Sequence, residues 1–110
     1  IKVRDFSFSV SFENCVLDYA SFSRKKLRNT IFKKCKLQEA NFMESDLTGS
    51  VFADCDLSRT LFSNTILNEV DFTSAYNFSI DPEKNKLKKA KFVVAGLQGL
   101  LEKYNLIVVE

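Results

Sequence analysis

Histidine and tryptophan are absent from these 110 residues, proline occurs once, and glycine and cysteine occur three times each. Without histidine there is no imidazole base for a serine or cysteine nucleophile, and no mixed Cys/His zinc site. Cys15, Cys35 and Cys55 make no CxxC pair, and an odd number cannot close into a disulfide framework. They suit a reducing compartment, and a cytoplasmic location is expected. So little glycine and proline means that ordinary turn chemistry does not bend this chain. No apolar run approaches the roughly 18 residues that span a bilayer, so no membrane partner is expected. The 16 basic and 14 acidic residues nearly cancel, so whole-chain charge calls for no polyanionic partner.

What the chain does have is eleven Phe and twelve Leu in one domain's length, 1–110, and 45% hydrophobic residues, enough for a core. Stepping by five from Phe12 meets Phe12, Leu17, Phe22, Leu27, Phe32 and so on, without a break, to Phe72. Phe and Leu make up about a fifth of the chain, so thirteen consecutive matches by chance come to about one in a billion. The residue two before each is small or β-branched, Lys25 excepted, and the two after it are almost all polar.

A period of five fits neither a helix nor a straight strand, since each would expose half of the set. It fits a chain that turns a corner every five residues. Phe and Leu alternate, a period of ten, and the cysteines recur every twenty, always in the small slot. Four sides per coil satisfy both periods, with coils stacked about 4.8 Å apart. Phe12, Phe32, Phe52 and Phe72 then form one column; Phe22, Phe42 and Phe62 form the opposite one. Lys25, in an inward slot, is expected to snorkel outward or to bulge the wall.

Ala40-Asn41-Phe42-Met43-Glu44, Ser45-Asp46-Leu47-Thr48-Gly49 and Cys55-Asp56-Leu57-Ser58-Arg59 resemble the pentapeptide-repeat family, and the resemblance covers about residues 10–75. It implies an all-β fold, a right-handed quadrilateral β-helix, in which the middle residue and the one two before it point inward. It implies less about function. One branch of the family mimics DNA and protects type II topoisomerase (gyrase), which needs a strongly negative surface. Here residues 1–75 carry equal numbers of acidic and basic side chains.

The ends break the register. Phe6, Phe8, Val10 and Phe12 alternate with polar residues, so an irregular strand is expected over 1–9, before regular repeats at 10–75. The register lapses at Asn77 and Pro82 and returns at Leu87 and Phe92. This predicts a loop over 76–86 and a last partial coil. Val94, Leu97, Leu101 and Tyr104 are spaced for one helix face, so a short capping helix is expected over 93–103, then a strand at Leu106–Val109. Gly96 and Gly99 weaken that helix by roughly 1 kcal/mol each. Similar endings in the family cap the rod or make a homodimer through the C-terminal helix. The chain is expected to be the C-terminal part of a longer one.

No catalytic residue, metal ligand or cofactor site is expected. A rod filled with Phe leaves no pocket, the thiols face the core as inert small hydrophobes, and outward carboxylates should titrate normally. The basic run of Arg24, Lys25, Lys26, Arg28, Lys33, Lys34 and Lys36 is expected to wrap one corner region as a solvated face, followed by an acidic band, Glu39 to Asp56. Weak nucleic-acid binding through this run is a further alternative, although no aromatic residue interleaves with it to stack on bases. A second cluster, Lys84, Lys86, Lys88, Lys89 and Lys91, also reads as solvated. The outward slot holds Ile31 and Val51, neighbours on one face and the expected seed of a protein contact. The sequence therefore reads as a non-enzymatic interaction or scaffold module whose partner is another protein.

Overall fold

The computed structural model describes residues 10–109; the strand expected over 1–9 lies outside them. Strands β1 (Ser11–Glu13), β2 (Ile31–Lys33) and β3 (Val51–Ala53) form a parallel sheet in that order. Ser11 faces Ile31, which faces Val51, and the isolated bridges, from Val16 with Lys36 to Asp71 with Lys91, also join residues twenty apart. The fold is thus a β-helix: each coil takes twenty residues and bridges to the next at five-residue intervals.

The corners solve the glycine shortage. From Asn14 to Glu69, the residue two after each Phe or Leu is left-handed, with φ between 52° and 63° wherever it is not glycine; only Gly49, at 74°, is one. Such a backbone costs a residue with a Cβ roughly 1 kcal/mol or more. It is offset because the corner N–H donates along the rod, as Tyr19 does to the Gln38 carbonyl (2.9 Å) and Lys34 to that of Ala53 (2.8 Å). The ladder passes Lys25 without a bulge: its carbonyl accepts the Asp46 N–H at 2.9 Å, and its side chain is half-buried.

Inside, the Phe rings stack along the rod with centroids 4.9 Å apart for Phe32–Phe52 and 5.5 Å for Phe52–Phe72. The Phe22–Phe42–Phe62 column stacks in the same way and meets the first edge-on, at 5.7 Å between Phe42 and Phe52. Both are favoured geometries for aromatic pairs. The small slot is hydrogen-bonded: Ser50, Thr60 and Thr65 hydroxyls donate to the carbonyls of Leu27, Leu37 and Phe42, one coil earlier. No buried side-chain N or O among the described residues lacks a partner.

The C-terminal end departs from expectation. The loop after Ala75 drops Phe78 and Ile80 into the core (7% and 2% exposed); Phe78 lies outside the five-residue register, and Ile80 puts a large side chain at a small-slot position. The cap is not one regular helix but two 3-10 pieces, Val94–Leu100 and Glu102–Tyr104. With three residues per turn, Gly96 and Gly99 fall on one face and lie against Phe78. Val94, Leu97, Leu101 and Tyr104, spaced for one helix face, are all exposed, and Leu106–Val109 forms no strand. Lys103 ties the cap to the loop through Asp81 (3.1 Å) and Glu83 (2.8 Å).

Candidate interaction surfaces

Cys15 is half-buried and Cys35 and Cys55 are buried, all three as free thiols. The Cys35 thiol points at the carbonyls of Phe12 and Lys33 (both 3.4 Å), and that of Cys55 at those of Phe32 and Ala53 (both 3.3 Å). Burial pushes the Cys35 thiol up and the Cys55 thiol up to about 11, so both stay protonated and poorly nucleophilic. Among the described residues no cluster of three or more His, Cys, Asp or Glu could hold a metal ion.

The basic run is not one patch. Lys26 and Arg28 lie on the side built around Leu27, Lys33 on the Phe32 side and Lys36 on the Leu37 side, while Arg24 and Lys34 occupy corners. The cations also meet carboxylates of neighbouring coils: Arg24 with Glu44 (2.9 Å), Arg28 with Asp46 (2.8 Å), Lys33 with Glu13 (4.0 Å) and Arg59 with Glu39 (3.6 Å). Basic and acidic bands far apart in sequence thus neutralise each other coil against coil. Exposed pairs of this kind contribute little stability.

The outward carboxylates do not all titrate normally. Burial pushes the Asp46 carboxyl up, but hydrogen bonds from Thr48 and Arg28 outweigh it and hold it below the usual range. At Asp56 the hydrogen bond from Ser58 is the main cause of a lowered value. These are stabilised anions, the reverse of what a general acid needs at neutral pH.

Ile31 and Val51 are brought together as expected. They are paired residues of β2 and β3, Ile31 37% exposed and Val51 half-buried. The expectation of no pocket meets two exceptions among the described residues: a hollow of about 240 Å³ beside Thr65, Ile66 and Asn85, and a larger one at the end. There a cleft of about 660 Å³ lies between Ala75–Phe78 and the cap, bordered by Tyr76, Gln98, Leu101, Leu106 and Val108. The sequence hid it because the exposure of Leu101 and of the tail follows from the 3-10 winding.

The model of the pentapeptide repeat region matches residues 7–74 and, in an overlapping alignment, 25–100. This chain belongs to the pentapeptide repeat family. No curated protein matches it in sequence. Among solved structures it is similar to a pentapeptide repeat protein from the Arabidopsis thaliana thylakoid lumen (28% identity, 70% of this chain and 50% of that one, TM-score 0.44). It is also similar to QnrB1, a plasmid-mediated fluoroquinolone resistance protein (25% identity, 94% and 50%, TM-score 0.47). A third is the pentapeptide repeat protein Rfr23 from the cyanobacterium Cyanothece (20% identity, 82% and 65%, TM-score 0.37). The chain spans about half the length of the first two. No helix among the described residues is long and apolar enough to cross a membrane.

Proposed function

We propose that this chain is a right-handed, four-sided pentapeptide-repeat rod, part of a longer protein, that acts as a non-enzymatic interaction module for a protein partner. The observation that carries this reading is the filled interior. Phe32, Phe42, Phe52, Leu37, Leu47, Leu57 and Leu67 are all fully buried and stacked, and the small slots spend their polar atoms on the ladder. A substrate has no room among them, which leaves the rod its flat outer sides and the cleft at its C-terminal end. The Ile31–Val51 pair, flanked by Lys33, is the partner-facing element on the β1–β2–β3 side. Three free thiols favour a reducing compartment such as the cytoplasm.

Gyrase protection by DNA mimicry is the weaker reading, because a phosphate-like track needs unpaired carboxylates in line. Glu44, Asp46 and Glu39 are each engaged by an arginine. The same pairs argue against nucleic-acid binding through Arg24 and Arg28.

The test is capture from a lysate of the source cell by the immobilised protein and by an Ile31→Glu/Val51→Glu variant. A protein retained by the first and lost by the second is the expected result. Equal capture by both would remove this face from the proposal.

A further inference from the structure

The last coil is densely basic: residues 84–91 carry five lysines and no acid. The described arginines, Arg24, Arg28 and Arg59, each contact a carboxylate. Lys84, Lys86, Lys88, Lys89 and Lys91 do not: no carboxylate of the described residues lies within 4.0 Å of their ammonium groups, and all five are exposed. These residues form the terminal coil, whose carbonyls cap the ladder at Asn64, Leu67, Glu69 and Phe72. From 84 to 101 the chain carries no acid.

Directly beyond these lysines comes exposed hydrocarbon. Val94, Ile107 and Val109 are 85%, 92% and 83% exposed, and Leu97 and Leu101 join them on the outer side of the cap. Tyr76 and Tyr104, half-exposed, complete the end. Aliphatic groups beyond, a few tyrosines, then lysines on the Leu87 and Phe92 sides of the last coil: this is the order in which a bilayer surface presents acyl chains, interface and anionic headgroups. Lysine stems are long enough to bring their ammonium groups toward phosphates from the sides of the rod.

We propose that the C-terminal end of the rod docks on an anionic lipid bilayer, with the cap and tail aliphatics set into the interface and the terminal-coil lysines on the headgroups. The lack of a spanning helix does not bear on such surface docking. Nucleic acid would use the lysines but has no use for Val94, Ile107 and Val109. A second copy would use the aliphatics and leave the lysines no part, so the lysine variant separates the two.

Flotation of the 110-residue protein with phosphatidylcholine vesicles, with and without phosphatidylserine, tests this directly. Expected is binding to the phosphatidylserine vesicles, lost at about 0.5 M salt, and at most weak binding to phosphatidylcholine alone. Lys86→Glu/Lys88→Glu and Ile107→Glu/Val109→Glu should each weaken binding by about tenfold or more. All four residues are exposed, so circular dichroism should stay unchanged in both variants. No flotation with phosphatidylserine, or equal, salt-insensitive binding to both vesicle types, overturns the proposal. So does a dimer in sedimentation equilibrium that Ile107→Glu/Val109→Glu dissociates, which gives the end to a second copy. A DNA or RNA shift lost in the lysine variant but untouched in the tail variant overturns it in favour of nucleic acid.

Discussion

The Thr60 hydroxyl donates a 2.7 Å hydrogen bond to the Leu37 carbonyl, twenty-three residues earlier and one coil away. The same relation joins Ser50 to Leu27 and Thr65 to Phe42, and it explains why a buried slot accepts polar residues. The Leu37 carbonyl also accepts the Ala40 N–H at 3.0 Å, so removing the hydroxyl does not orphan it. Thr60→Val should therefore cost only about 1 kcal/mol, the net worth of one hydrogen bond. The shift of the urea midpoint measures it; a loss several times larger would mean that the slot positions the whole coil.

Tyr19 sits at a corner with φ 63° and 70% exposure, and its side chain is not part of the core. Glycine there removes the left-handed strain while freeing the unfolded chain somewhat. Tyr19→Gly should stabilise the rod by roughly 0.5–1 kcal/mol. A lowered thermal midpoint would show that this corner costs less than the entropy that glycine adds.

At Gly99 a Cβ would come within 2.6 Å of the Phe78 ring and of the Phe78 carbonyl oxygen. The carbonyl is backbone and does not yield, so the cap must move. Gly99→Ala is expected to speed amide exchange across 94–104 by about tenfold or more while leaving β2 and β3 protected. Gly96→Ala, whose nearest neighbour is the Phe78 ring tip at 3.2 Å, is the milder control. Equal protection of the cap in both variants would mean that Phe78 does not anchor it.

The lowered Asp46 carboxyl makes a pH prediction. Its folded value lies below the unfolded one, so its contribution is present above the unfolded value, about 4, and is lost as pH falls through the folded value. The unfolding midpoint should decline as pH drops below about 4. Asp46→Asn should flatten that decline and lower the midpoint at neutral pH, because the carboxylate facing Arg28 is lost. An unchanged acid limb in the variant would assign the dependence to other carboxylates.

The sequence by itself determined the β-helix. A Phe or Leu at each fifth position and cysteines twenty apart in the small slot admit few other ways of burying every large side chain, and the pairing of Ile31 with Val51 follows from arithmetic alone. It also marked where the pattern lapses, at Asn77 and Pro82. Only the tertiary structure decided the rest. Phe78 and Ile80 fill the core beyond the regular repeats because the loop had to close over an open end. The cap winds as 3-10 turns because that brings Gly96 and Gly99 onto Phe78, and the winding turns Val94 and Leu97 outward. Arg24 and Arg28 of the basic run meet Glu44 and Asp46 because those partners lie a coil away rather than next door in sequence. A repeat dictates what each residue does to its own coil; what the end of the rod exposes depends on contacts that no periodicity encodes.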